Sequence, residues 1–443
     1  MSALARYFSF HGKKVEGYDK TKTALTLQLE SEGIPVHYTD DIALAPKDAD
    51  IIVYTPAVPA SHTALTYYRE NNFQVVKRSD MLGAITRNSF NICVAGTHGK
   101  TTISSMIAHI LRHTGYGCNA FLGGIASNYN SNFWSSERDT CVIEADEYDR
   151  SFLKLSPDIA VISAMDADHL DIYGTETAMQ EAFVAFSGKI KPSGTLFVKS
   201  GLAERFKFLA PRQTTYSLDA PDADVHAQQV EMVNGNYLFN LSINRELIDD
   251  LALNMGGLHN VENASVAIAV ARSLDIDIEA IRLAVEAFRG VKRRFEYIIK
   301  TKSLVYIDDY AHHPEELATL IDSAKSLFSE MKCTVIFQPH LFTRTRDLAD
   351  AFAARLDKAD EIVLLPIYPA RELPIEGVSS ELIKQKMNNR NVRILPKDDV
   401  EDFIRYRKSS AQKGESQLFI TAGAGDIDTL VNPLKKILSE TVK

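Results

Sequence analysis

Short apolar runs alternate along the whole chain with longer stretches whose apolar positions recur at helical spacing. In residues 1–87 the runs are KKVEGYD, IPVHYTD, ADIIVYTP and QVVKRSD, with a helix predicted from Ala24 to Glu32 between the first two. Strand, helix, strand is the unit that builds a parallel sheet, because a parallel neighbour is reached only through a crossover. The segment opens inside a helix, at Met1-Ser2-Ala3-Leu4-Ala5, where a dinucleotide-type domain would open on a strand and a Gly-rich turn. A second segment, 88–295, starts with the strand ICVAG, runs through the helix TTISSMIAHILRHTG and adds strands at TCVIEAD, DIAVISAM and GTLFVK. Within it Asn234-Gly235 separates two alternating runs, the mark of a hairpin. The third segment, 296–443, repeats the alternation at SLVYIDDYA, CTVIFQPH, EIVLLPIY, NVRILP and QLFITAGAG. The pattern predicts an α/β protein of three domains: a Rossmann-like N-terminal domain lacking its first strand and Gly-rich turn, a central domain, and a C-terminal Rossmann-like domain.

Length agrees with this division, since 443 residues exceed what one ordinary core organises. A net charge of -9 argues against a general nucleic-acid binder, which needs a basic surface, but leaves room for a local anion site. No apolar run reaches membrane-spanning length and the N-terminus lacks a signal-peptide pattern, so a cytoplasmic enzyme that engages no membrane is expected. Cys93, Cys118, Cys141 and Cys333 show no metal-ligand spacing and read as reduced core residues.

Candidate chemistry centres on Gly96-Thr97-His98-Gly99-Lys100-Thr101-Thr102, placed between a strand and a helix. There backbone N–H groups and a helix N-terminus face an anion, Lys100 neutralises terminal phosphates, and the Thr101 hydroxyl is placed to ligate Mg²⁺. Val94 stands where the long form of this loop has its first glycine, so the match is to a shortened G-x-x-G-K-T. An acidic metal ligand is expected at the end of a neighbouring strand, and Glu144 is the first carboxylate after CVI. A third strand ends near His169, which could serve a second metal or the acyl centre.

These motifs, in this order, resemble the Mur ligase family over essentially the whole chain. MSALA continues the family's Gly-rich turn, AGTHGKTT is similar to its phosphate loop, and EADE and DHLDIYG to its metal and acyl-site motifs; GLHNVENA, KRRFE, DDYAHHPEE, FQPHLFTRTRD and GAGDI follow. The resemblance implies a UDP-sugar domain, a central P-loop ATPase domain and an amino-acid domain. It implies an ATP- and Mg²⁺-dependent ligase, monomer or homodimer, that joins the lactyl carboxylate of UDP-N-acetylmuramate to L-alanine through an acyl phosphate in peptidoglycan precursor synthesis. By the same resemblance Lys100, Thr101 and Thr102 hold phosphates, and Thr101, Glu144 and His169 serve Mg²⁺. His259, Asn260 and Asn263 receive base and ribose, and Arg294 reaches phosphate. Tyr310, His312, His313, His340, Arg344 and Arg346 face the amino acid and the muramoyl group, Arg344 being a cationic anchor for the alanine carboxylate.

Family members that add other amino acids carry a lysine downstream of the DH motif, where this chain has Val184 and Ala185. That favours alanine. A recycling ligase that attaches intact peptide to the same sugar is the nearest alternative, and a non-catalytic P-loop nucleotide-binding protein is the alternative from another class. The sequence departs from the family at Ala164 and Asp166, often Asn and Glu, and at Leu341, often Arg. The absent first strand leads to the expectation of a natural start upstream of Met1.

Overall fold

The structure is a computed structural model that describes residues 1–55, 58–166, 170–370, 372–410 and 415–440. Its contacts sort into two compact units. The first comprises Met1–Gln228, Asn240–Leu251 and Glu262–Ala287; the second comprises Gln229–Phe239, Ala252–Val261 and Phe288–Lys443.

In the first unit the chain starts with the helix Ser2–Phe10, as its opening pattern implies. Strands Gly17–Tyr18 and Val36–His37 pair in parallel across the helix Ala24–Ser31, and Ile52–Tyr54 and Val75–Lys77 pair in parallel across Thr63–Glu70. They form two separate two-stranded ladders rather than one sheet. Each strand is two or three residues long and only partly buried, so little cross-strand contact is available to join the ladders.

The strand Phe90–Ala95 lies inside a ten-stranded sheet, between Thr140–Glu144 and Ile159–Ile162 and parallel to both. A parallel strand covered on both faces must be apolar throughout, and Ile92 to Ala95 are fully buried. Three strands therefore end side by side at Ala95, Glu144 and Ile162, the edge where open α/β sheets place ligands. Beyond Ile159–Ile162 come Thr195–Lys199 and Gln213–Ser217, then Val225–Val233, Asn236–Ile243 and Glu246–Leu253 as consecutive neighbours. The first turn between these last strands is Asn234-Gly235, both residues at positive φ. On the other side stand Asn119–Ala126 and the antiparallel Ser131–Trp134, two strands not foreseen from sequence. All four cysteines are buried and unpaired, and burial pushes the thiols up, to about 12 for Cys118 and Cys333.

The second unit contains a six-stranded sheet in the order Glu296–Lys300, Leu304–Asp309, Gln417–Ala422, Lys332–Phe337, Glu361–Leu364, Val392–Ile394. Only the first pair is antiparallel. Side chains alternate across the sheet, so Val305 and Ile307 enter the core under the helices Pro314–Leu327 and Phe342–Leu356, while Tyr306 enters the core under Val400–Ser410 and Val431–Ser439. The result is the doubly wound arrangement expected of this segment. No helix among the described residues is long and apolar enough to cross a membrane.

Candidate active site

The strand Phe90–Ala95 feeds the loop Gly96 to Gly99, and the helix Lys100–His113 leaves from Gly99. Gly96 and Gly99 have φ of 135° and 81°, conformations that glycine adopts at least cost. A Cβ on Gly96 would sit 2.2 Å from Ser163 Oγ and 2.9 Å from Ala164 N, and one on Gly99 would sit 3.0 Å from Asn263 Oδ1. The loop is pinned to the next strand end: Thr97 N donates to Ala164 O at 3.1 Å, Asp166 N donates to Thr97 Oγ1 at 3.1 Å, and the Ser163 hydroxyl donates to Ala95 O at 3.3 Å and to His98 O. Ala164 and Asp166 thus hold the loop through their backbones, and the Asp166 carboxylate also lies 3.6 Å from His98 Nε2 in the loop. The first-turn amides at Lys100, Thr101 and Thr102 have no intrahelical acceptor, which makes this helix start a cradle for an anion.

Lys100 Nζ donates to Gly96 O at 2.6 Å and to Glu147 Oε1 at 2.7 Å, and the Glu147 side chain is 1% exposed. Burial raises the Glu147 pKa, while Lys100 opposes the shift. Thr101 Oγ1 donates to Glu144 Oε1 at 2.9 Å, and Gly123 N donates to Glu144 Oε2 at 2.8 Å. A hydroxyl and a carboxylate held together beside a phosphate cradle fit Mg²⁺, which takes oxygen ligands and keeps several waters. His169 lies outside the described residues. The pairing of Glu147 with Lys100 was not read from the sequence.

The first unit also contains a cavity of about 380 Å³ lined by Tyr54, Arg69, Lys77, Tyr148 and Ile172. Tyr54 and Lys77 end their strands there, and Tyr148 follows Glu147 directly.

Asn263 belongs to the first unit, His259 and Asn260 to the second. Asn260 is buried and donates through Nδ2 to Gly256 O at 2.6 Å. A Cβ on Gly256 would meet Phe295 Cε1 at 2.0 Å, so this turn and the KRRFE segment are packed backbone against ring. The Arg293 and Arg294 guanidiniums lie 5.1 and 5.3 Å from the Tyr310 ring. Arg293 Nε lies 3.3 Å from Asp308, and Phe295 N donates to Asp309 Oδ2 at 2.6 Å. Burial lifts Asp308 to about 7, against Thr421 and Arg293, and Asp309 to about 6, against Arg294. The sequence reading missed Arg293, Asp308 and Asp309. The available signal was that both aspartates end a buried strand, as Glu144 does.

His340 and Arg344 stand at the start of the helix Phe342–Leu356. The His340 ring stacks on Tyr368 at 5.7 Å and lies 6.0 Å from His312. Burial, then His312 and Arg344, lower the His340 pKa to about 4, so the ring is neutral at neutral pH. Among the described residues, His340 Nδ1 and Arg344 Nη1 are buried without a hydrogen-bond partner. Leu341 between them is held at φ 70°, a strained value for a non-glycine residue. His313 precedes the helix Pro314–Leu327, where Glu316 accepts from His312 N at 2.9 Å and His313 N at 3.2 Å. Arg346 is exposed and paired with Asp347 at 2.7 Å, so it does not join the His340 and Arg344 cluster.

Three family models match in sequence: "Mur ligase family, catalytic domain" on residues 1–90, "Mur ligase middle domain" on 94–271 and "Mur ligase, glutamate ligase domain" on 293–425. The chain belongs to the Mur ligase family. A UDP-N-acetylmuramate–L-alanine ligase of Flavobacterium johnsoniae is 45% identical over 446 residues, covering 100% of this Mur ligase and 96% of the relative. The crystal structure of UDP-N-acetylmuramate-alanine ligase from Thermotoga maritima matches with a TM-score of 0.79 at 26% identity, over 99% of this chain and 95% of that one. The MurF ligase of Thermotoga maritima, solved in complex with ADP, shares the Mur ligase fold at a TM-score of 0.67 and 15% identity, over 90% and 97% of the two chains.

Proposed function

We propose that this Mur ligase acts in the cytoplasm to join L-alanine to the lactyl carboxylate of UDP-N-acetylmuramate, using ATP and Mg²⁺. The observation that carries the reading is the phosphate cradle with Lys100, Thr101 and Glu144 at one sheet edge, in a chain matched end to end by a ligase named for those substrates.

A carboxylate is a poor acylating agent because its leaving group would be oxide. Transfer of the γ-phosphoryl of ATP to a carboxylate oxygen converts that oxygen into phosphate, a good leaving group. The alanine amine then adds to the carbonyl and loses a proton, and the C–O bond breaks to release phosphate. The chain's share of the work is positioning and charge stabilisation. Loop amides and Lys100 hold the transferred phosphoryl, and Asn263, beside Gly99, limits where a nucleotide can lie. Thr101 and Glu144 would hold Mg²⁺, which supplies charge neutralisation at the phosphates, with His169 as its proposed further partner.

The division of labour follows the three segments. Segment 1–87 holds the sugar nucleotide, and Arg69 and Lys77 give the cavity beside Tyr148 a cationic wall suited to its phosphates. Segment 88–295 holds ATP, and segment 296–443 the amino acid. The buried Arg344 Nη1 and His340 Nδ1 are matched to the alanine carboxylate, whose docking would satisfy them. Tyr310 and His312 stand beside that group, His313 is a further proposed partner, and Arg294 serves phosphate.

Measuring ADP with each substrate left out in turn tests this. Steady-state ADP formation is expected to require both UDP-N-acetylmuramate and an acceptor, since without the amine the acyl phosphate accumulates after one turnover, with L-alanine outpacing a tripeptide by about a hundredfold or more. ADP formed equally fast without the muramate ends the ligase reading, and a preference for tripeptide moves the assignment to a peptide-recycling ligase.

A further inference from the structure

An ammonium has three N–H donors, and Lys100 spends two of them on acceptors of its own chain, Gly96 O and Glu147 Oε1. The residue that carries this carboxylate is anchored through its backbone. The Glu147 carbonyl accepts from Tyr173 Oη at 2.7 Å and from Arg150 N at 2.9 Å, which anchors the residue at the head of the 3₁₀ turn Tyr148–Lys154. Lys100 is 15% exposed and Glu147 1%, so solvent screens the pair weakly. Glu144 does not share this role, because its two oxygens are committed to Thr101 and Gly123.

We propose that Glu147 competes with nucleotide phosphates for the Lys100 ammonium and thereby sets the affinity and release rate of nucleotide. The inference rests on the reading of the Lys100 loop as the ATP site. A phosphate reaching Lys100 must either displace the carboxylate, giving up a charge-assisted hydrogen bond, or share the cation with a like charge at hydrogen-bond distance. Both routes weaken binding. Weaker binding helps an enzyme that must release ADP every turnover, since nucleotide held too tightly makes release the slow step. Glu147 is on this account a residue that tunes nucleotide exchange through Lys100.

The test uses the full chain and MgADP, with affinity measured by calorimetry and release by stopped flow. Glu147→Gln keeps shape and acceptor but removes the charge, and should bind MgADP about tenfold tighter with a correspondingly slower release. Glu147→Ala should also tighten binding, which keeps the idea testable if either variant folds poorly. In a Lys100→Ala background there is no ammonium to compete for, so Glu147→Gln should change affinity by less than about twofold. A purely structural role would loosen binding. Unchanged or weaker MgADP binding by folded Glu147→Gln and Glu147→Ala overturns the proposal. Wild-type MgADP affinity in Lys100→Ala would instead sink the reading of the loop itself, so the two failures are distinguishable.

Discussion

Replacing Lys100 with alanine is expected to reduce ADP formation by about a thousandfold or more, the scale on which phosphoryl-transfer sites lose rate when a transition-state cation is removed. The effect should appear in kcat as well as in the KM for ATP, because charge on the transferred phosphoryl is spread over its oxygens most strongly in the transition state. Stability should fall as well. The variant leaves the Glu147 carboxyl in a nearly solvent-free position without its cation, and such a group is costly until it takes a proton. Initial-rate kinetics with a thermal melt at two pH values check both parts. Burial already raises the Glu147 pKa and Lys100 is the largest influence opposing it, so removing the lysine raises it further. The variant's folded-state pKa then lies above the unfolded value, so its stability deficit should shrink as the pH falls.

The second large effect is expected at Gly96. An alanine there would face two separate obstacles, a backbone at φ 135° and a Cβ 2.2 Å from Ser163 Oγ and 2.9 Å from Ala164 N. Neither neighbour can yield freely, since Ser163 bonds the Ala95 and His98 carbonyls and Ala164 O accepts from Thr97 N. The cradle must therefore shift, and ATP affinity should drop about a hundredfold, with a loss of stability of about 2–4 kcal/mol. Adding Ser163→Gly removes the nearer clash but neither the backbone strain nor the contact at Ala164 N. The double variant should recover part of the stability and little of the affinity. Calorimetric titration with an unhydrolysable ATP analogue and chemical denaturation read the two quantities, and full recovery in the double variant would mean that the loop has no special backbone requirement.

The phosphate loop could be read from sequence because its parts are contiguous: an apolar strand, a glycine at each end of a short loop, and a helix whose first residue is Lys100. Glu144 was readable for a related reason, being the first carboxylate past a buried strand. Glu147 was not, because its partner is set by how the turn Tyr148–Lys154 returns the chain past the strand end, a tertiary fact with no local signature. Arg344 and Arg346 look alike in sequence, yet residues two apart on a helix project to different sides, and the structure buries a donor of one while pairing the other with Asp347 in solvent. Strand Asn119–Ala126 was obscured by its glycine pair, Gly123-Gly124, which weakens any strand pattern although Gly123 N proves to hold Glu144. Strand Glu296–Lys300 was hidden by its edge position and by a register shift between Tyr297 and Ile299. In the first segment the alternation was legible, but strands of two and three residues produced two ladders instead of one sheet.

The central claim is that the Lys100 cradle delivers a phosphoryl group to an oxygen of the sugar acid before any amide forms. UDP-N-acetylmuramate labelled with ¹⁸O in its lactyl carboxylate, turned over with ATP and L-alanine, reads this directly in the ³¹P spectrum of the phosphate released. One labelled oxygen in that phosphate is the predicted result, and phosphate free of label would contradict the account.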